Sequence, residues 1–447
     1  MHYKYSNTSI FNIFTRFLED EGIKYCIVGN TSEFSYNIEG DVDIVIESRP
    51  AKEINKIISF FSDNNELCLV QMLQHEQCAY YFVLFKQNDS QLINIKLDIC
   101  SDYLRNGKKF LKSDEILSSI TKAKNVQENH IEIEFFVPST EMNFIYYLLK
   151  KTDKKSINQK QYLFLKKLWN EEPESCLNQI KRFWQSPYDQ GVISTAFETN
   201  NQATLQKKLP HLKDQLHRTL RYTSKNLTNE IFRLLKRICQ PTGLFVVIMG
   251  PDGSGKSTVI NAVRKDLEPA FRNKDYFHLK PDVFKRSKGN AGPVLNPHNE
   301  PPRTPLMSYL KLLYFLTDYV FGYFIKIKPR LIRSSFVVFD RYYHDLLVDP
   351  KRYRFASSMK IAKFVGSLIP KPDLWIFLNA SPEEIQKRKQ EVPFEESQRA
   401  CKEYLKLAST LKNSLIIDAS QPADKVINDV NKAILTHMAN RFKQRHL

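Results

Sequence analysis

Residues 244–258 read Leu244-Phe-Val-Val-Ile-Met-Gly250-Pro-Asp-Gly-Ser-Gly255-Lys-Ser-Thr258, an apolar run that ends in the pattern Gly-x-x-x-x-Gly-Lys-Ser. The next segment, Val259–Leu267, has the residue spacing of a helix. Strand, glycine-rich loop and helix in this order are typical of a phosphate-binding loop, because glycines let backbone N–H groups and the helix N-terminus point at an anion. The chain has only 13 glycines, and three of them fall in this loop, so chance is a poor explanation.

The composition of the chain indicates a folded protein of several domains. Its 447 residues exceed the size of one ordinary core, so we expect two or three domains. The seven cysteines are scattered without a Cys-x-x-Cys pair, and Met1–Asn12 is too polar for a signal peptide. These features predict a cytoplasmic protein with reduced thiols.

The net charge of +17 indicates anionic partners, among which are nucleic acid, anionic lipid and phosphorylated metabolites. The basic residues are dispersed, and no nucleic-acid-binding motif accompanies them, so nucleic acid stays open as a partner without a specific signal. The apolar segment 306–327 contains Lys311 and Asp318, and each charge would cost about 2.5–3.5 kcal/mol near a bilayer centre. We expect no transmembrane segment there but a helix buried against a sheet, with peripheral membrane contact as the alternative.

The first half of the chain predicts an α+β domain with a helical appendage. Helices are expected at 9–21 and 51–63, and the region 141–235 is helical and rich in lysine. The strands expected in this half are 24–28, 42–47, 68–73, 80–86 and 92–100.

The second half alternates strands and helices as a doubly wound parallel sheet requires, which predicts an α/β fold. The strands expected here are 244–249, 336–339, 374–378 and 415–417. A Pro-Thr-Gly break precedes the first of them. The predicted domains are therefore 1–135, 136–240 and 241–447.

Four features of the second half occur together. The phosphate-binding loop is followed by 339–343 (Phe-Asp-Arg-Tyr-Tyr), by the strand 374–379 with 381–384 (Ser-Pro-Glu-Glu), and by a charged segment, 386–404. This combination resembles the thymidylate kinase family of P-loop kinases, over roughly residues 241–447. The resemblance implies ATP and Mg²⁺ as cofactors and a small anionic acceptor as the second substrate.

The donor side of the expected site is the loop itself. Lys256 is expected to reach the β- and γ-phosphates, and Ser257 to supply a hydroxyl to Mg²⁺. The residues expected to bind the cofactor are Gly250, Asp252, Gly253, Ser254, Gly255, Lys256, Ser257 and Thr258.

The remaining catalytic residues are expected after two later strands. Asp340 suits a Mg²⁺-bound water or the acceptor, and Arg341 can bridge donor and acceptor phosphates because guanidinium pairs with them bidentately. The resemblance assigns such roles to this pair and places Asp252 against the acceptor sugar. Segment 386–399 resembles the mobile lid of the family, in which Arg388 closes on the phosphates; a solvated helix face is the alternative for Arg388.

The acceptor side departs from the housekeeping members of the family. Their strand end and arginine-bearing helix, which grip the base, are replaced here by 278–281 (His-Leu-Lys-Pro), 296–303 and the aromatic segment 306–327. Residues 342–354 stand where a Ser-rich turn is usual. This variant pattern resembles thymidylate-kinase-like proteins found with bacterial surface-polysaccharide genes. Both dTMP and another phosphorylated or sugar metabolite stay open as the acceptor.

Two carboxylates in the first half, Asp41 and Asp43, share one face of a predicted strand. A third, Asp98, lies in a later alternating run, and Gly29 ends an upstream strand. This pattern resembles the polymerase-β type of nucleotidyltransferase over about residues 10–105. The resemblance implies two Mg²⁺ ions bound by the three carboxylates and transfer of a nucleotidyl group. A binding module without catalysis, or plain solvation at a strand end, is the alternative.

The leading interpretation is a Mg²⁺-dependent ATP:acceptor phosphotransferase fused to a nucleotidyltransferase-like domain. A nucleic-acid-associated or regulatory ATP-binding protein with little kinase turnover is the alternative, favoured by the net charge and the lysine-rich region 150–240. The presence of Lys256, Ser257, Asp340 and Arg341 argues against a scaffold that binds nucleotide without catalysis. The oligomeric state is left open.

Overall fold

The computed structural model describes residues 6–34, 38, 40–88, 91–105, 108–126, 132–219, 224–284, 300–388 and 393–446. The chain divides into two compact units, Met1–Leu235 with Phe442–Leu447, and Lys236–Arg441. The three predicted domains, with boundaries at 135/136 and 240/241, stay predictions.

The first unit contains a five-stranded mixed sheet. Its strands are β1 Tyr25–Ile27, β2 Val42–Ile46, β3 Cys68–Glu76, β4 Ala79–Asn88 and β5 Gln91–Cys100. Their order in the sheet is β1-β2-β5-β4-β3. The pair β2 and β5 is parallel and the other pairs are antiparallel. Two small antiparallel pairs that the sequence did not predict follow, β6 Tyr103–Arg105 with β7 Lys108–Leu111, and β8 Ile120–Val126 with β9 Glu132–Pro138.

Helices with one apolar face pack against this sheet. Four helices precede, separate or follow its strands along the chain: α1 Asn7–Asp20, α2 Ser48–Ala51, α3 Ile54–Asn64 and α4 Ser113–Ile116. Ser6 and Ser9 form a capping box that fixes the start of α1. Phe14 of α1 and Phe61 of α3 are fully buried and share a core with strand residues such as Leu97.

The region that the sequence predicted to be helical forms a series of helices. They are α5 Thr140–Lys154, α6 Gln159–Glu171, α7 Pro173–Phe183, α8 Pro187–Glu198, α9 Gln202–Thr219 and α10 Ser224–Cys239. Pro173 and Pro187 occupy the first turns of α7 and α8, where the missing N–H costs nothing. Stacked aromatic rings, such as Trp169 on Phe197 at 5.6 Å between centroids, fill the core of these helices.

The second unit is an α/β domain with a parallel five-stranded sheet, as the sequence predicted. Its strands are β10 Leu244–Met249, β11 Asn273–His278, β12 Ser335–Asp340, β13 Leu374–Asn379 and β14 Ser414–Asp418. They are parallel in the order β11-β12-β10-β13-β14. The central strands β10 and β12 are buried along their whole length, which explains their continuous apolar sequences. Strand β11 was not predicted, because this edge strand has no buried residue and its sequence is mostly polar.

Helices alternate with these strands. They are α11 Lys256–Asp266, α12 Pro305–Gly322, α13 Lys328–Ile332, α14 Asp345–Val348, α15 Met359–Leu368, α16 Pro382–Arg388, α17 Phe394–Thr410 and α18 Ala423–His446. A 3₁₀ turn, Glu268–Ala270, follows α11, and a π-helical turn, Tyr323–Ile327, follows α12.

The charged residues of the apolar segment 306–327, Lys311, Asp318 and Lys326, have partners inside the second unit. Asp318 is fully buried and accepts the backbone N–H groups of Asp282 and Val283 at 3.1 and 2.7 Å. Lys311 donates to the carbonyl oxygen of Tyr353 at 2.7 Å. Among the described residues, no helix combines the length and the apolarity that crossing a membrane requires. The peripheral membrane contact predicted for this segment stays a prediction.

Candidate active site

The phosphate-binding loop lies between β10 and α11, and its glycines hold a conformation that other residues avoid. Gly250, Gly253 and Gly255 have φ angles of +152°, +85° and +85°. A Cβ atom at Gly250 would lie 2.5 Å from the carbonyl oxygen of Leu378 on β13, so a side chain there would push the loop off the sheet. Because Gly255 caps α11, the loop ends at a helix N-terminus, where N–H groups and the helix dipole favour an anion.

Lys256, the first residue of α11, is buried against the loop. Its Nζ donates to the carbonyl oxygens of Gly250 at 2.9 Å and Pro251 at 2.8 Å. Burial, and then the nearby positive charge of Arg341, lower the pKa of Lys256 to about 8. The ammonium group is therefore fixed at the mouth of the loop, where a phosphate oxygen can share its protons.

The hydroxyl groups of the loop differ in exposure. Ser254 is buried, and its Oγ has no hydrogen-bond partner among the described residues. Ser257 and Thr258 lie exposed in the first turn of α11. All three hydroxyls are thus available to a ligand of the loop.

Asp340 ends β12 beside the loop strand, where its Cα is paired with that of Ile248. Its Oδ2 accepts a hydrogen bond from the hydroxyl of Tyr276 on β11 at 3.4 Å. Its Oδ1 is buried and has no partner within the described part of the chain. An orphaned carboxylate oxygen next to the phosphate loop fits a hydrated Mg²⁺ ion, so the residues present suit the metal that the sequence predicted.

Arg341 joins the loop to the chain that follows β12. Its backbone has φ +67°, and its N–H donates to the carbonyl of Ile248 at 3.0 Å. One guanidinium nitrogen, Nη2, donates to Oδ1 of Asp252 in the loop. The other, Nη1, donates to Oδ2 of Asp345 at 2.8 Å and to the hydroxyl of Tyr404 at 3.3 Å. The side chain is therefore held from two sides.

Asp345, in α14, is fully buried and anchors this group. It also accepts hydrogen bonds from the hydroxyls of Tyr353, at 2.8 Å, and Tyr404. Burial alone would raise the pKa of Asp345, but Arg341 and the two tyrosine hydroxyls hold it below the ordinary value. The spacing of Arg341 and Asp345, four residues apart, was a weak signal that the sequence interpretation did not use.

Arg352 was also not predicted as a site residue. Its Nη1 donates to Oδ2 of Asp252, so this loop carboxylate is held by two guanidinium groups. Burial would raise the pKa of Asp252, but Arg341, Lys256 and Arg352 together hold it well below the ordinary value. The three cations and Asp252 define the cationic cluster of this site.

Arg388 ends α16, and its guanidinium donates to the carbonyl oxygen of Ala419 at 2.8 Å. Ala419 in turn bonds Asn379 at the end of β13. Residues 389–392 of the predicted lid, 386–399, lie outside the described residues. The closing of Arg388 on phosphates stays a prediction.

In the first unit, Asp43 on β2 and Asp98 on β5 face each other as Cα partners of adjacent parallel strands. Asp43 Oδ1 accepts a hydrogen bond from Nζ of Lys150, and Asp98 Oδ1 lies 3.3 Å from Nε2 of His75. Burial, and then the negative charge of Asp43, raise the pKa of Asp98 to about 7.

Asp41 precedes β2, is exposed, and accepts the hydroxyl of Tyr81 at 3.1 Å. Within the described ranges, no group of three or more His, Cys, Asp and Glu side chains is arranged to hold a metal ion. The metal-binding role of Asp41, Asp43 and Asp98 therefore stays a prediction.

Comparison with known proteins agrees with the geometry of the second unit. The family model "Thymidylate kinase" matches residues 248–430. The probable thymidylate kinase of Pyrobaculum aerophilum is 28% identical over 207 residues, which cover 44% of this chain and 99% of that protein. A thymidylate kinase of Prochlorococcus marinus (strain MIT 9312) is 30% identical over 214 residues, 44% of this chain and 98% of that protein. That of Lactobacillus acidophilus is 26% identical over 218 residues, 45% and 95% respectively.

These matches coincide with the unit that carries the phosphate-binding loop, Asp340 and Arg341. They cover almost the whole length of the relatives and less than half of this chain. Through its second unit, the chain therefore belongs to the thymidylate kinase family and is a nucleoside-monophosphate-kinase-like phosphotransferase that uses ATP and Mg²⁺.

Proposed function

We propose that the second unit transfers the γ-phosphoryl group of ATP to a small acceptor that itself carries a phosphate, with dTMP as the first candidate. The observation that supports this proposal is the cationic cluster, in which Arg341 and Arg352 meet at Asp252 of the phosphate loop. One cation, Lys256, suffices for the donor phosphates, so two additional guanidinium groups suit a second anionic substrate.

Each residue of the site has a role that its position supports. Lys256 and the loop N–H groups hold the donor phosphates, and Ser257 and Asp340 would hold Mg²⁺, which neutralises charge on the transferring group when bound. Arg341 is oriented by Asp345 before any substrate arrives, so it can stabilise charge that develops between donor and acceptor without reorganising. Phosphoryl transfer needs such positioning more than covalent assistance.

Two observations bear on the identity of the acceptor. The relatives that match the second unit are named thymidylate kinases, which favours dTMP. The segments 278–281 and 342–354 differ from the family pattern, which favours another phosphorylated or sugar metabolite.

Because its cofactors are ATP and Mg²⁺ and all seven cysteines are free thiols, we propose that the protein acts in the cytoplasm.

The test is ADP release from Mg-ATP with a panel of acceptors. The panel contains dTMP, the other nucleoside monophosphates, sugars and sugar phosphates. Lys256→Ala is the blank, and Lys265→Ala, an exposed lysine of the same helix, is the matched control. We expect acceptor-dependent ADP release that Lys256→Ala loses by orders of magnitude and Lys265→Ala keeps.

The pattern of acceptors then decides between the candidates. Release with dTMP supports a thymidylate kinase, and release only with a sugar-type acceptor supports phosphorylation of a surface-glycan precursor. If none of the acceptors in the panel leads to ADP release, the result would instead favour the nucleic-acid-associated or regulatory alternative. Salt-dependent binding of DNA or RNA would give that alternative independent support.

For the first unit, we propose nucleotide binding with nucleotidyl transfer as its candidate activity. The supporting observation is the register of Asp43 and Asp98 on adjacent parallel strands. The test is equilibrium binding of nucleoside triphosphates to the full chain with Lys256 changed to alanine, so that the second unit contributes less. An Asp43→Asn substitution in that background is expected to weaken binding of the preferred nucleotide; unchanged binding would remove Asp43 from any site.

A further inference from the structure

A second cleft lies on the second unit, and it has a volume of about 600 Å³. Helices α14, α15 and α17 contribute its walls. The described residues that line it do not include any residue of the phosphate loop or of the cationic cluster. Two lining residues, Lys371 and Leu411, lie just before β13 and β14. Nucleotides in such folds bind at the carboxyl ends of the strands, whereas this cleft reaches the amino ends of β13 and β14.

The walls of the cleft combine apolar and cationic side chains. Leu347, Met359 and Leu407 are half-buried aliphatic residues that line it. Three exposed lysines, Lys363, Lys371 and Lys406, also line it, and none of the three pairs with a carboxylate in the described part of the chain. Arg399 at the same cleft already bonds Glu396 through two nitrogens, and Glu403 is the acidic lining residue. Three unpaired ammonium groups around an aliphatic surface leave a net positive charge.

A buried polar atom also lacks a partner here. His344 lines the cleft with only 5% of its surface exposed, and its Nδ1 has no hydrogen-bond partner among the described residues. The ring is held against Trp375 at 4.8 Å between centroids, so it cannot turn freely to find one. Buried polar atoms are almost always hydrogen-bonded, and an exception needs an explanation such as a ligand.

We propose that this cleft binds an amphipathic organic anion, that is, an apolar body with one carboxylate, sulfonate or phosphate group. The aliphatic residues cover the apolar body, the lysines neutralise the acid, and His344 meets a polar atom of the ligand. A cleft of this size holds a small organic molecule, and predominantly apolar walls with a few placed polar groups are the usual composition of such sites. Inorganic phosphate would leave the aliphatic surface uncovered, and an uncharged lipid would leave the lysines unused.

The test uses 8-anilinonaphthalene-1-sulfonate as the probe, because its fluorescence rises in an apolar site. The full chain is titrated with saturating Mg-ATP and dTMP present, so that nucleotide sites are occupied. Octanoate is expected to displace the probe at a concentration about tenfold lower than 1-octanol or octylammonium, and inorganic phosphate is expected to displace little. Equal displacement by octanoate and 1-octanol, or displacement by phosphate alone, would overturn the proposal.

Two variants tie the probe to this cleft. Lys363→Glu combined with Lys406→Glu is expected to weaken probe binding about tenfold or more, because both residues are exposed and both charges are reversed. Lys360→Glu, on the same helix but not lining the cleft, is the matched control and is expected to bind normally. Met359→Trp fills the apolar wall without changing charge and is expected to reduce binding independently. Wild-type affinity in both the double-lysine variant and Met359→Trp would show that the probe binds elsewhere and that this proposal is wrong.

Discussion

Arg341 combines backbone strain with a fully specified side chain. A non-glycine residue at φ +67° costs about 1 kcal/mol or more, so the surrounding contacts must hold it there. Its N–H bonds Ile248, and its guanidinium bonds Asp252 and Asp345. The direction of the guanidinium is thus set by the fold before a phosphate is bound, which is the arrangement that charge stabilisation in phosphoryl transfer requires.

Replacing Arg341 therefore tests catalysis at the level of one residue. Arg341→Ala is expected to lower kcat by about 10²–10³-fold, because a preorganised donor to the transferring group is lost. Arg341→Lys is expected to recover little, because an ammonium group cannot bond Asp252 and Asp345 from two sides. Steady-state kinetics with Mg-ATP and the acceptor found in the panel measure both. Arg272→Ala, an exposed arginine, is the control, and a kcat within twofold of wild type for Arg341→Ala would remove it from catalysis.

The sequence predicted only part of this group. The glycines of the loop, Asp340 and Arg341 lie in short motifs whose spacing is visible along the chain. Arg352 and Tyr404 reach Asp252 and Asp345 from distant segments through tertiary packing, and no local pattern marks them. Residues that orient a candidate catalytic side chain are therefore harder to predict than the side chain itself.

At the scale of elements, the short helix α14 depends on the buried carboxylate at its start. Asp345 has no exposed surface and bonds Arg341, Tyr353 and Tyr404. Removal of one partner from a buried ion pair leaves an uncompensated charge, which is far more costly than the net value of the pair.

Asp345→Asn is accordingly expected to lower the free energy of unfolding of the second unit by about 3–5 kcal/mol. Urea denaturation of the full chain, followed by tryptophan fluorescence, to which Trp375 contributes from the second unit, measures this loss. Glu395→Gln, at an exposed position in the first turn of α17, is the control and is expected to change stability by about 0.5 kcal/mol at most. A loss below about 1 kcal/mol for Asp345→Asn would show that the pair contributes little to α14.

His344, at the N-cap of α14, predicts a pH dependence of stability. Burial, and then the charge of Lys371, lower the pKa of His344 from 6.5 to about 4. Between about pH 6.5 and about pH 4, His344 is therefore protonated in the unfolded chain and neutral in the folded protein. The free energy of unfolding falls as the pH is lowered from about 6.5 to about 4. The total loss from this residue is about 3 kcal/mol, and His344→Gln is expected to have a flatter profile in that window. Urea midpoints at pH 7, 6, 5 and 4 test this; parallel profiles for the two proteins would contradict it.

The central strands of the second unit were predicted, and several strands with mixed polar and apolar sequences were not. The strands β10, β12 and β13 have continuous apolar sequences because both faces of the sheet are covered. The edge strand β11 pairs with β12, which is distant in sequence, whereas β6–β7 and β8–β9 are short pairs of strands adjacent in sequence. Such pairing leaves little trace in the pattern of side chains.

At the scale of the whole molecule, the two units carry separate candidate sites, and their chemistry is expected to be independent. Asp41→Asn combined with Asp43→Asn is predicted to leave the kinase rate of the second unit unchanged, because the partners described for Arg341 and Arg352, Asp252 and Asp345, belong to the second unit itself. ADP release by the double variant measures this, with Asp20→Asn as an exposed control in the first unit. A parallel loss of kinase activity in the double variant alone would show that the units are coupled.

The strand order of the second unit has a consequence for synthesis of the chain. The strand that leads into the phosphate loop pairs with partners far downstream, Leu244 with Phe336 and Val246 with Leu374. Translation proceeds at roughly 5–20 residues per second. A growing chain therefore exposes the apolar strand β10, with both of its edges unpaired, until β12 and β13 have left the ribosome. Contacts so distant in sequence also slow folding. The nucleotide-binding loop is thus among the first parts of its unit to be translated and among the last to be completed, which makes nascent chains of this unit candidates for chaperone binding.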